Sequence, residues 1–277
     1  MVDFAAVYAI MRAVAGARER NGPMTRPVAI ITGSSAGIGA ATAIKFAESG
    51  FNVVVNYSRD PAPALEVATA CRKAGAEVET IKADVSSDAD CKMMAEMVQK
   101  RWGHAHHLVN NAGRTKFVAQ RDLDGLSAED FQSIYAVNVI GAFQMARAFA
   151  PLLRKEKGAS IVNVSSIAAV AGRGSSIAYM ASKGALNTMT IALARALGPE
   201  IRVNGVGPGM IESDWLKNGY GAEAYDAMGK MYRNISALSA TISPEDVAQT
   251  IYALCTAFPK TTGETVLVDA GFRIQKA

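Results

Sequence analysis

Four apolar residues, Val28-Ala29-Ile30-Ile31, lead the chain into Thr32-Gly33-Ser34-Ser35-Ala36-Gly37-Ile38-Gly39 and then into a helical pattern reaching Ser49. This junction constrains the fold more than any other segment. A short strand without polar alternation must be covered on both faces, and a glycine-rich turn feeding a helix fits the first unit of a parallel sheet. The alternation then repeats. Strands are predicted over residues 51–57, 77–83, 160–164, 201–206 and 265–268, with a fourth strand in the order ending at Leu108-Val109-Asn110. Helices are predicted over 62–74, 88–102, from Ser127 to Leu153, and over 178–197. A last main helix opens at Ser243-Pro244-Glu245-Asp246, with a serine cap, proline in first position and acids in the first turn. Ser127-Ala128-Glu129-Asp130 is a second N-terminal signal, with Asp130 standing where Glu or Gln is the stronger choice. Seven strands alternating with crossover helices predict an α/β fold, a single-domain, Rossmann-type doubly wound parallel sheet flanked by helices. A closed eight-fold barrel is the rival, disfavoured by the glycine turn and the strand count.

The 277 residues are half hydrophobic and carry a net charge of +4, with both signs mixed along the chain. That supports one large core and no nucleic-acid partner. Residues 1–24 are expected to be an N-terminal extension, disordered or amphipathic; their apolar part is too short and too interrupted for a membrane span. Residues 25–277 form the expected main domain, with a lid near 210–240. Cys71, Cys91 and Cys255 are far apart and lie in helical patterns, which fits a reducing, cytoplasmic setting. His104, His106 and His107 precede a strand; as metal ligands they would need carboxylate or cysteine help that the nearby sequence lacks, so a surface turn is expected and no metal.

In an open sheet, ligands bind beyond the carboxyl ends of the strands where strand order reverses. Gly33, Gly37 and Gly39, with Ser35 and Ile38 between them, reach that edge. Glycine tolerates left-handed backbone, permits close approach of a pyrophosphate and lets helix and strand pack tightly. The helix start adds unpaired amides. The spacing is Gly-x3-Gly-x-Gly, and a ligand-free glycine turn is the bland alternative. After the second strand stand Asn56, Tyr57, Ser58 and Arg59. An acid there would bind the adenosine ribose and repel a 2'-phosphate; none is present, and Arg59 offers a planar fork for phosphate. NADP(H) is therefore favoured over NAD(H), although Asp60 could pair with Arg59. Asp84 could accept the adenine amino group while Val85 packs the ring; Asp84 as a helix cap is the alternative.

Tyr179 precedes Lys183 by four residues, which on a helix is one face, one turn apart. A cation there would favour the phenolate and lower the tyrosine pKa. Spacing of this kind is common by chance. The ordered set Thr32 to Gly39, Asp84, Asn110-Asn111-Ala112-Gly113, Asn138, Ser165-Ser166, Tyr179 with Lys183, and Pro208-Gly209 is not. Over residues 27–273 the chain resembles the short-chain dehydrogenase/reductase family, closest in look to its 3-oxoacyl-carrier-protein reductases and its sugar or polyol dehydrogenases.

The resemblance implies a catalytic tetrad of Asn138, Ser166, Tyr179 and Lys183. Tyr179 would be the general acid or base, Ser166 would hydrogen-bond the carbonyl oxygen, Lys183 would tune the phenol and hold the nicotinamide ribose, and Asn138 would hold a water in a proton relay. Asn111, Ala112, Gly113, Pro208, Gly209, Ile211 and Ser213 would border the nicotinamide. A carbonyl/alcohol oxidoreductase follows, with a regulatory nucleotide-binding protein or an epimerase as other classes. Two departures are mild: Ser213 where the family more often has Thr, and Ala270 where it more often has Gly. Substrate choice is expected from residues 114–124, 168–177 and 210–239, including Trp215, Tyr220, Tyr225, Met228, Met231 and Tyr232, which either line a pocket or pack the lid. Arg114, Lys116, Arg121 and Arg173 add basic character near the mouth. Relatives pair the helices around 137–153 and 178–197 between subunits, which implies a homotetramer or a dimer.

Overall fold

The computed structural model describes residues 26–276; the predicted extension over residues 1–24 lies outside them. Seven parallel strands form one sheet in the order β3-β2-β1-β4-β5-β6-β7. They are β1 (Val28–Ile31), β2 (Asn52–Tyr57), β3 (Val78–Lys82), β4 (His107–Asn110), β5 (Ser160–Val164), β6 (Arg202–Pro208) and β7 (Thr265–Val268). The order reverses between β1 and β4, where Ile31 pairs with Val55 on one side and Val109 on the other.

Helices cover both faces, and β1 shows why its strand reads as unbroken apolar sequence. Val28 and Ile30 join the core under α3 (Asp88–Arg101), α5 (Ala142–Leu153) and α7 (Ile177–Leu197). Ala29 and Ile31 join the opposite core under α1 (Gly37–Glu48), α2 (Pro61–Lys73) and α10 (Pro244–Thr256). All four side chains are fully buried, so a period-two pattern has no polar face to show.

Local sequence signals set several helix starts. Asp60 caps α2 by accepting from the Ala62 amide, and Ser87 caps α3. At α4 (Ala128–Tyr135) the weaker-looking Ser127/Asp130 pair closes a full reciprocal capping box, because the shorter Asp130 side chain still reaches the Ser127 amide at 2.9 Å. The long helix expected from Ser127 to Leu153 is broken by a π-turn, Ala136–Gly141, with Asn138 inside it. By length and hydropathy the Ala128–Leu153 run could span a membrane, yet over half of its most apolar window is buried in the protein.

Three expectations change. The 210–240 connection carries two helices, α8 (Asp214–Tyr220) and α9 (Ala222–Ile235), and a short α6 (Ala168–Ala171) follows β5. His107 is no surface turn residue: it is buried inside β4 with Nδ1 2.9 Å from Ser160 Oγ. The carboxylate absent from the neighbouring sequence is supplied across the fold by Glu156, 3.4 Å from His104 Nδ1 and 3.3 Å from His106 Nε2. Val28 N–H donates to His106 Nδ1 at 3.2 Å. A neutral His106 therefore carries its proton on Nε2, facing Glu156 as a donor rather than offering a metal lone pair.

Candidate active site

The turn after β1 is stitched to the end of β2. Ser34 Oγ donates to Ile31 O, Ser34 N donates to Asn56 O, and Asn56 N donates back to Ser34 Oγ. The Asn56 side chain accepts from Gly33 N at 2.9 Å and donates to the carbonyls of Ile81 and Ala83. It is buried, so its amide shapes the turn from below instead of facing a ligand, because every strong donor and acceptor it has is already used.

The glycines are needed for two physical reasons. Gly33 and Gly37 adopt φ of +59° and +54°, where a Cβ is strained. A Cβ on Gly39 would lie 2.5 Å from both Asn111 Nδ2 and Gly33 O. Nothing stands within 4 Å of a Cβ position on Gly37, and Ala36 gives the α1 N-terminus no side-chain cap. Open space over uncapped amides at a glycine turn suits a pyrophosphate. Ser35 and Ile38 border it, both partly exposed. On these observations the residues fit the pyrophosphate of a dinucleotide.

Thr32, directly after β1, anchors the neighbouring segment. Its hydroxyl accepts from Asn111 N and Ala112 N, while Asn111 Nδ2 donates to the carbonyls of Thr32 and Gly33. This ties the segment after β4, ending in exposed Gly113, to the glycine turn. At the adenosine end Ser58 and Arg59 are exposed and Tyr57 is partly so. Asp60 is used as the α2 cap, and Arg59 forms no ion pair with a carboxylate among the described residues. Asp84 does not cap α3: its carboxylate accepts from Ser86 N and Oγ. Val85 is buried with its carbonyl accepting from Gln144 Nε2.

Ser166 follows β5, and Tyr179 lies in the first turn of α7, whose cap Ser176 accepts from the Tyr179 amide. The Ser166 hydroxyl accepts from Ala168 N at 3.1 Å and lies close enough to the Tyr179 phenol to favour its ionised form. Lys183 is buried; its Nζ donates to Val164 O at 2.7 Å and sits 5.6 Å from the Tyr179 ring centroid. The tyrosine does not show the lowered pKa expected from its lysine. Burial pushes the phenol up to about 12, against the opposite pull of the neighbouring Ser166 hydroxyl, and burial pulls Lys183 down to about 8. Desolvation wins because it penalises the charged form of both groups, and the ammonium is directed at a carbonyl.

Asn138 is buried in the π-turn, with Oδ1 accepting from Arg114 N and Nδ2 donating to Arg114 O and Ser182 Oγ. Its side chain positions the segment after Gly113. A Cβ on Gly113 would lie 3.6 Å from Asn138 Oδ1 and 3.8 Å from Lys183 Nζ, so the two side chains border one small space.

Pro208 ends β6 and is buried. Gly209 is pressed by Tyr232, whose hydroxyl would be 2.0 Å from a Cβ there. Ile211 is buried and bridges Ile242, so it is a structural contact. Ser213 caps α8, accepting from Leu216 N. The lid aromatics divide. Tyr232 stacks on Phe272 at 4.3 Å, with Tyr225 and Met228 packed around the same cluster, and Met231 faces out. Trp215 instead approaches the Tyr179 ring at 6.3 Å, and Tyr220 packs on Phe117 at 4.8 Å. Phe117 and Gly219 fall inside the expected 114–124 and 210–239 stretches without being singled out there; Asn163, in the core of β5, has no local signal, since it links Asn110 Nδ2 to Thr190 Oγ1 across the fold. Cys71, Cys91 and Cys255 are all free and buried. Burial pushes their thiols up to about 11, 11 and 12, which makes them unreactive.

A doubly wound sheet with a glycine cradle beside a Ser166–Tyr179–Lys183 cluster defines a dinucleotide-dependent oxidoreductase architecture. Residues 33–273 match the family model described as enoyl-(acyl carrier protein) reductase. A Streptomyces violaceoruber protein provisionally named granaticin polyketide synthase ketoacyl reductase 2 is 39% identical over 245 residues, 88% of this chain and 95% of its own length. The 3-oxoacyl-[acyl-carrier-protein] reductase of Synechocystis sp. is 32% identical over 251 residues, 90% and 97% of the two chains. A solved Burkholderia xenovorans structure, provisionally described as a short-chain dehydrogenase/reductase, superposes with a TM-score of 0.84 at 39% identity, covering 90% of this chain and 99% of that one. The chain belongs to the short-chain dehydrogenase/reductase family. Its general chemistry is NAD(P)H-dependent oxidoreduction of the carbonyl/alcohol type.

Proposed function

We propose that this enzyme reduces a ketone to its secondary alcohol, and runs the reverse, with NADP(H) favoured, in the manner of a 3-oxoacyl reductase. The observation that carries it is the Tyr179 phenol beside Ser166, with Lys183 one turn along and its Nζ 5.6 Å from the ring centroid, at the sheet edge that holds the glycine cradle. A phenol held neutral is a proton donor at working pH. Tyr179 gives its proton to the carbonyl oxygen, and Ser166 donates a hydrogen bond to the same oxygen as negative charge develops. Lys183 lies where it can favour the phenolate left behind and pass on a proton. The Gly33–Gly39 turn and the α1 amides would hold the pyrophosphate, Arg59 the 2'-phosphate, and Lys183 the ribose beside the nicotinamide. That cofactor, when bound, supplies or accepts the hydride.

Support for NADP(H) comes from the lack of a carboxylate at the β2 end other than Asp60, which α2 already uses. The names of the ketoacyl and 3-oxoacyl reductase relatives favour a ketone substrate; a sugar or polyol dehydrogenase is the second reading. Ile140, Phe143 and Ile191 are exposed on the π-turn, α5 and α7, which favours a homotetramer or dimer through these helices, measurable by light scattering. The buried, unreactive thiols are compatible with a cytoplasmic site of action.

The test compares kcat/KM for NADPH and NADH across a carbonyl panel, with Tyr179→Phe as control. The expected result is a preference of at least about tenfold for NADPH, the worth of one charge-assisted phosphate contact, and near-complete loss of turnover in the variant. Equal use of NADH removes the Arg59 argument, and an active Tyr179→Phe enzyme removes the mechanism.

A further inference from the structure

Beside Tyr179 the structure builds an aromatic wall from two separate segments. Phe117, in the segment after β4, packs edge-on against Trp215 of α8 at 5.7 Å and against Tyr220 at 4.8 Å. Trp215 in turn lies 6.3 Å from the Tyr179 ring. The Phe117 ring seats in a notch that only glycine permits: a Cβ on Gly219 would stand 2.1 Å from Phe117 Cζ and 2.2 Å from Cε2. The segment carrying Phe117 is pinned from behind, with Val118 N donating to Ser175 O and the Thr115 and Ser175 hydroxyls 2.6 Å apart. Ser175 and its neighbour Ser176 sit at the start of the helix that presents Tyr179. The wall, the lid helix α8 and the proton donor are therefore fixed to one another.

Trp215 is nevertheless 48% exposed, so part of its ring remains available next to the phenol. A planar unsaturated ring laid there gains edge or offset-stacked contacts that a saturated ring of equal size does not. A polyhydroxylated substrate would meet three ring systems with one hydroxyl, that of Tyr220, among them, and would leave its own groups unpaired.

We infer that Phe117, seated against Gly219, is a specificity-determining residue that with Trp215 and Tyr220 selects flat, aryl-conjugated or aryl-fused ketones. The inference rests on the carbonyl-reductase reading above and narrows its substrate class.

The test uses 2-tetralone and 2-decalone, fused bicyclic ketones that differ in one aromatic ring. With NADPH the wild type is expected to favour 2-tetralone by at least about tenfold in kcat/KM. Phe117→Leu, Trp215→Leu and Gly219→Ala should each reduce that ratio below about threefold, mainly through KM for 2-tetralone. Gly219→Ala expels the ring from its notch without touching the catalytic groups, and Tm separates this from unfolding. A ratio near one in the wild type, or an unchanged ratio in all three variants, overturns the inference. Binding is read independently from Trp215 fluorescence in a Trp102→Phe background. Selective quenching by 2-tetralone supports the wall even where neither ketone is reduced, an outcome that counts against the carbonyl-reductase reading alone; equal quenching by both ketones overturns the wall.

Discussion

Lys183 Nζ lies 5.6 Å from the centre of the Tyr179 ring, yet its hydrogen bond goes to the Val164 carbonyl. The ammonium is buried at a cost to the fold, and burial takes its pKa from an ordinary 10.5 to about 8. A folded value below the unfolded one gives stability that is complete above about 10.5 and is lost as pH falls through about 8. At pH 7 the charged lysine is therefore a liability, on the order of 3 kcal/mol before the Val164 hydrogen bond is counted. Lys183→Met should abolish turnover while raising stability at pH 7 by about 1–2 kcal/mol, after allowing about 1 kcal/mol for the orphaned carbonyl. Thermal unfolding at pH 7 and pH 10 checks this: the gain should shrink at the higher pH. A variant less stable than wild type at pH 7 refutes the assignment.

His107 gives the opposite end of the pH scale. Burial holds it neutral, with its pKa pushed down to about 3 from 6.5. Its contribution is complete above about 6.5 and disappears as pH falls through about 3. His107→Asn keeps a polar partner for Ser160 but loses ring packing against Phe46 and Phe51, at 5.8 and 5.5 Å. The variant should be less stable at neutral pH and lose less stability than wild type between those limits, measured by urea unfolding across the series. Parallel pH profiles would show that His107 is not a source of acid lability.

Arg59 can be tested apart from the fold because it is exposed. Arg59→Ala should lower kcat/KM for NADPH by about tenfold or more, the value of a lost charge-assisted contact, with NADH use little altered. An equal loss with both cofactors would show that Arg59 does not read the 2'-phosphate.

Gly39→Ala probes the cradle. Its methyl would sit 2.5 Å from Asn111 Nδ2 and from Gly33 O, so either α1 or the segment after β4 must move. Overpacking of this kind costs about 1–3 kcal/mol, and dinucleotide affinity should fall with it. Titration of NADPH by fluorescence, beside a melting curve, measures both. Wild-type affinity in the variant would mean that the contact between glycine turn and Asn111 does not shape the binding edge.

Much of the architecture was legible because it depends on local chemistry. Val28–Ile31 has no polar alternation, so coverage on both faces follows; Ser243-Pro244 and Ser127 to Asp130 announce helix starts through side chains that satisfy nearby amides. Asn138 was legible as a break in its helix. Its hydrogen bonds were not, since Arg114 and Ser182 are remote in sequence. Asn56 stood in the right place for a ligand, but only the fold shows its amide turned inward to hold Gly33.

Sequence alone determined the parallel α/β sheet, the glycine turn and the order of Ser166, Tyr179 and Lys183, because periodicity, backbone freedom and spacing are properties of neighbouring residues. Tertiary structure alone decided the electrostatic state of Tyr179 and Lys183, since desolvation depends on everything packed around a group. It also decided which lid aromatics pack the core and which face the phenol, and it brought Phe117 into the notch at Gly219. Contacts between distant segments have no period in the chain to betray them.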